Sequence, residues 1–176
     1  SKFIDLSAFG KNLIEGILKI AIFIGYTALT ALTKDIRRTY EYHGAEHKTI
    51  ACYEHEEELT VENVKKYTRF HPRCGTSFIF LVLFISIFVN TIFRVSWASI
   101  LLRVVIKIAL LPIVTGIAYE LIRLAGKYDN IFTKIISAPG LWIQRITTSE
   151  PDESQIECAI AALKACIPEN KEDDKW

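Results

Sequence analysis

At 176 residues the chain is one domain by length. Hydrophobic residues make up 51% and mean hydropathy is +0.24, while a net charge of +1 gives no electrostatic basis for binding nucleic acid. The apolar residues are gathered into blocks rather than spread at core periodicity. The expected class is therefore all-α, a polytopic helical membrane protein with about three transmembrane helices forming one membrane domain over 1–176.

Residues 1–12 are mixed and read as an interfacial lead-in. The chain contains no methionine, which reads Ser1 as a processed end or a boundary with an N-terminal part missing. No short apolar core followed by a small-residue cleavage site marks a signal peptide in the first 35 residues. Residues 13–33 are apolar except for Glu15 and Lys19. At about 1.5 Å per residue they can cross about 30 Å of hydrocarbon. A polar segment, 34–76, follows with eight Lys/Arg and eight Asp/Glu. Within it, Thr60 reads as the N-cap of a short helix reaching Phe70, which Pro72 ends.

Residues 77–93 are the clearest span, with Asn90 its only strongly polar residue and Thr76 or Ser77 as its cap. A link from Arg94 to Ser99 turns the chain into a second long apolar helix over 100–124, which carries Arg103, Lys107, Pro112 and Glu120. Two spans joined by a short link make a hairpin, so 34–76 and everything after 125 lie on one side. That side carries most of the cations, and the positive-inside rule places it in the cytosol of a multi-pass cell-membrane protein. Residues 131–146 contain Pro139-Gly140 and read as re-entrant or interfacial, with Trp142 at the headgroups. From about 150 to 167 an amphipathic helix is expected, with Pro151 in its first turn and Ile156, Ile160, Leu163 and Ile167 on one face. The charged stretch 169–176 reads as a disordered tail. The four cysteines, at 52, 74, 158 and 166, form no compact disulfide framework; thiols or metal ligands are expected.

All four histidines lie between positions 43 and 71. His43 and His47 are four apart, so on a helix they face the same way and can hold one ion. Glu46 completes H-x-x-E-H, the inverted zincin pattern, in which the glutamate takes a proton from the attacking water. His71 and Cys74 also suit one ion, and Glu120, an ionisable residue in an apolar helix, is a further candidate ligand. His43, His47, His71 and Cys74 together would close a structural zinc tetrahedron; three protein ligands would leave a position for catalysis. A third reading makes Cys74 a nucleophile with His71 as its base. Lys48 and Arg73 could hold an anionic substrate such as a lipid phosphate or a carboxylate. His55, inside a run of glutamates, reads as solvated, and Cys52 as packing.

Two stretches, Tyr42-His43-Gly44-Ala45-Glu46-His47-Lys48-Thr49 and His71-Pro72-Arg73-Cys74-Gly75-Thr76-Ser77-Phe78, resemble the YqhQ-like family of bacterial membrane proteins. So do 112–120 and 139–145, followed by Thr147-Thr148 and Glu150-Pro151-Asp152. The resemblance covers roughly residues 30–165. It implies the label that family carries, a metal-dependent enzyme of unknown function, and a Gly-rich N-terminal region beyond this chain. Two functions follow as expectations. One is a membrane-embedded zinc (or other divalent transition metal) hydrolase with Glu46 as general base. The other is an oligomeric channel, transporter or scaffold, packed through Asn90, Lys107 and the tail helix, in which the His/Cys cluster is a structural site. The expected partners are the lipid bilayer, further copies of the chain, and a lipid or anionic small molecule.

Overall fold

The computed structural model describes residues 8–92, 99–128 and 130–168. Most of the lead-in, Arg94 with its turn, and the charged tail lie outside the described residues. What is described is helical, and no strand occurs among these residues. The chain divides into two compact units, Ser1–Tyr26 with Arg73–Gly140, and Thr27–Pro72 with Leu141–Trp176.

The first unit takes most of α1 (Ala8–Thr30), all of α4 (Gly75–Ile92) and α5 (Ile100–Lys127), and the start of α6 (Ile131–Thr147). Among the described residues, two helices are long and apolar enough to cross a membrane: Leu13–Thr30 within α1, with mean hydropathy 1.6, and Ile100–Lys127, with mean hydropathy 2.3. The expected third span, α4, is apolar but shorter, Gly75–Asn90, and its last turn adjoins residues outside those described. Large apolar side chains such as Ile17, Ile22, Phe88, Ile108 and Leu111 are exposed along these helices. Gly16 lets α1 approach α4 closely, because a Cβ there would stand 2.7 Å from Ile87.

Polar groups on the apolar helices find partners within the unit. Glu15 accepts from Lys19 at 2.6 Å and from Lys107 at 3.2 Å, joining α1 to α5. That pairing links side chains 92 positions apart. Ser99 caps α5 by accepting from the Leu102 amide. Pro112 lies inside α5, where it removes one backbone donor, and Thr115 Oγ1 donates to the Leu111 and Pro112 carbonyls. Residues 131–147 form one continuous helix despite Pro139. Gly140 admits the Ser77 side chain, whose Cβ lies 2.6 Å from where a glycine Cβ would stand.

The second unit is built on α2 (Lys34–Glu54), α3 (Val61–Lys65), the end of α6 and α7 (Glu153–Cys166). The polar segment thus carries a 21-residue helix ahead of its short one. Thr60 caps α3 as expected, accepting from the Asn63 amide at 3.3 Å, but the helix ends at Lys65 rather than near Phe70. Helix α7 packs on α2. Ile156 and Ile160 join Ala45, Cys52 and Val64 in the core, while Leu163 and Ile167 stay half-buried. Cys52 is a packing residue as expected; its buried thiol donates weakly to the Glu57 and Glu58 carbonyls, and burial raises its pKa. All four cysteines are free thiols.

Asp152 caps α7, so Pro151 stands just before the helix rather than in its first turn. Asp152 accepts from the Gln155 amide while Gln155 Oε1 accepts from the Asp152 amide, and Gln155 also donates to Glu41 on α2. The Ser154 hydroxyl and the Gln155 amide hold the Asp152 carboxyl below its ordinary value. A depressed folded pKa adds stability that is present above the unfolded pKa and lost as pH falls through the folded one. Protection of the first-turn amides of α7 therefore declines as the protein is acidified through and below the ordinary aspartate range. Asp152→Asn, which keeps an acceptor that does not titrate, flattens that response; an unchanged slope in the variant would assign it elsewhere.

Candidate metal centre

Helix α2 positions His43 and His47 one turn apart, with ring centroids 4.3 Å apart and meeting edge to face. The buried arc of α2 is made of Gly44, Ala45, His47, Lys48, Thr49, Ala51 and Cys52. His43 lies at one edge of this arc and is half-buried. Two features make this face possible. Gly44 leaves room for the Ser149 carbonyl, and the chain after α6 runs alongside α2, with the Ser149 amide donating to the Tyr40 carbonyl at 2.8 Å.

Each of the two rings is tied to a backbone carbonyl through the same nitrogen. His43 Nδ1 lies 2.8 Å from the Thr147 oxygen, and His47 Nδ1 lies 2.7 Å from the Arg69 oxygen. A carbonyl can only accept, so in the neutral rings the proton is on Nδ1 and the lone pair on Nε2. This is how ligating imidazoles are oriented, with the second nitrogen donating to a carbonyl or carboxylate behind it. Donor atoms of His43, His47 and Cys74 lie within 4.8 Å of one another, so this group could hold a metal ion. A His₂Cys set suits zinc, for which imidazole and thiolate are both preferred donors.

His71 is placed beside this pair without joining the three-donor group. Its ring centroid is 5.7 Å from that of His47, and its Nε2 lies 3.2 Å from Glu54 Oε2. Its backbone is held on both sides by one side chain: Gln144 Oε1 accepts from the His71 amide at 2.8 Å, and Gln144 Nε2 donates to the His71 carbonyl at 2.7 Å. Glu54 and Gln144 are the residues that spacing did not single out. Glu54 was hidden in the run 54–58, although it lies seven positions after His47, two turns along the same face.

The remaining candidates stand as follows. Glu46 is exposed on α2, on the solvent side of the histidine face. The Lys48 side chain is only 9% exposed, and its Nζ lies 2.7 Å from Glu150 Oε2. Arg69, not expected at the site, lies 3.5 Å from the other oxygen of Glu150 and donates to the Thr148 carbonyl. Arg73 lies across Gly126 of α5, where a Cβ would collide with its side chain. Glu120 pairs with Arg123 one turn on, at 3.6 Å, and is not part of the three-donor group.

Residues 1–169 match the model of the family described as Protein of unknown function (DUF1385). The chain belongs to this family. Over 155 residues it is 42% identical to the Uncharacterized protein YqhQ of Bacillus subtilis (strain 168), a match covering 88% of this chain and 48% of that one. It thus spans about half the length of the curated relative it matches. No solved structure matches. Membership accords with the resemblance seen at 42–49 and 71–78, and brings with it no stated activity or cofactor.

Proposed function

We propose that this DUF1385 chain is a multi-pass protein of the cell membrane. Its His43, His47 and Cys74 would hold a divalent transition metal, zinc by donor preference, on the cytosolic side, and would support hydrolysis. The observation that carries the reading is the matched pair of Nδ1–carbonyl bonds at His43 and His47, which turn both Nε2 lone pairs to ligand use. Three donors with His71 Nε2 directed to Glu54 favour a site with a position for substrate over a closed four-ligand staple. Zinc there would supply Lewis acidity. Glu46, exposed one residue before His47, would take the proton from the attacking water. Lys48 and Arg73 would favour an anionic substrate, a lipid phosphate or a carboxylate, with Glu150 already on the Lys48 ammonium.

Metal analysis of the purified protein is the first test. About one zinc per chain is expected, with affinity falling roughly a hundredfold or more in His47→Ala, since apparent zinc free energies of about 10–16 kcal/mol are shared among few ligands. Glu46→Gln should keep the metal and lower turnover of p-nitrophenyl acyl or phosphoryl esters about 10²–10⁴-fold. Protein with no stoichiometric metal would sink the reading.

The non-enzymatic alternative draws on the Glu15–Lys19–Lys107 cluster, charges grouped on two helices that can cross a membrane. It requires Glu46→Gln to leave function intact, and a ring-shaped homo-oligomer in detergent with Lys107 or Asn90 towards its axis.

A further inference from the structure

The two carbonyls that orient the imidazoles come from distant parts of the chain, Arg69 and Thr147, so something must hold those parts in step. We infer that the Arg69 side chain does so and is the positioning residue of the centre. The inference rests on the reading of His43 and His47 as ligands.

Arg69 acts at both ends. Its own carbonyl accepts from His47 Nδ1 at 2.7 Å. Its guanidinium Nη1 donates to the Thr148 carbonyl at 3.0 Å, one peptide beyond the Thr147 oxygen that accepts from His43 Nδ1 at 2.8 Å. Its Nε lies 3.5 Å from Glu150 Oε1, and Glu150 Oε2 in turn takes the Lys48 ammonium at 2.7 Å. The guanidinium carbon also lies over the Phe70 ring, 4.8 Å from its centroid. One planar group therefore ties the non-helical stretch before His71 to the stretch that follows α6.

The chemistry requires arginine. A guanidinium presents donors in a fixed fork and can serve a carbonyl and a carboxylate together. An ammonium at position 69 could reach one of the two. Thr147 closes α6, so its carbonyl is among the last four of that helix, which have no partner inside it. His43 supplies the donor, and the bond holds only while the 147–150 stretch stays against α2. Arg69 and Lys48, sharing Glu150, keep it there from two directions.

The experiment reads the rings in metal-free protein. Nitrogen-15 spectra of the neutral imidazoles show which nitrogen carries the proton, and zinc and cobalt(II) titrations give affinity and the ligand-field bands. Wild-type protein should show Nδ1–H for both His43 and His47. Arg69→Ala should give mixed tautomers in both, weaken zinc about tenfold or more, and shift the cobalt bands. Arg69→Lys should fall between, and it carries the test if the alanine variant does not fold. Wild-type tautomers and affinity in the folded variant would overturn the inference. Wild-type protein that binds no metal removes the ligand reading, while a tautomer change in Arg69→Ala would still show the strut.

Discussion

Gln144→Leu lowers the stability of the 27–72 and 141–168 unit by roughly 2–6 kcal/mol, as two buried backbone groups lose their partner at about 1–3 kcal/mol each. Gln144 is 0% exposed, and its amide satisfies both the N–H and the C=O of His71. Leucine matches its volume closely, so little of the loss comes from a cavity. The bonds from the Thr148 amide and hydroxyl go to the backbone oxygen of Gln144 and survive the change, leaving the side-chain amide as the tested part. Native stability is on the order of 5–15 kcal/mol, so an effect of this size shows as a large fall in the urea midpoint. A shift below about 0.5 kcal/mol would mean that water or a moved backbone satisfies His71 instead. The consequence reaches the site, because the His71 ring beside His47 is placed by the backbone that Gln144 grips.

What could be read along the chain was what depends on local pattern. The apolar blocks located α1, α4 and α5, and the Ile156/Ile160 spacing located the face of α7. The four-residue step from His43 to His47 placed both rings on one side of a helix. The length of α2 was obscured because its buried face is built from Gly44, Ala45, Thr49, Ala51 and Cys52, small residues that leave little apolar periodicity. Partners far apart in sequence could not be read at all. Nothing in the spacing links Lys107 to Glu15, Lys48 to Glu150, or Gln144 to His71. Nor does an ionisable residue in an apolar helix announce its neighbour: Glu120 has Arg123 three positions on. A glutamine amid apolar residues at 131–146 was a usable signal for a buried polar grip, since such a group persists only where it is hydrogen-bonded.

Gly44→Ala separates two demands made at one position. In a helix interior alanine is favoured over glycine by about 1 kcal/mol, so on propensity alone the change stabilises α2. Here the new Cβ would collide with the Ser149 oxygen, a backbone atom, and lie 3.2 Å from its carbon. Relief requires the 147–150 stretch to move off α2. That movement breaks the Ser149 amide bond to the Tyr40 carbonyl and draws the Thr147 carbonyl away from His43. Overpacking against a fixed neighbour costs about 1–3 kcal/mol, and lost hydrogen bonds add to it, so a net loss of about 3 kcal/mol is expected despite the propensity gain. Gly25→Ala in the interior of α1 is the control: nothing lies within 4 Å of where its Cβ would stand, so it should show the propensity gain of about 1 kcal/mol without the clash. The decisive readout is metal affinity at a temperature where both variants are folded. If Gly44 serves only helix packing, zinc binding survives once the protein is folded. If it exists to let a carbonyl reach the His43 ring, affinity falls about tenfold or more even in folded protein, because the ring has lost the acceptor that fixes its tautomer.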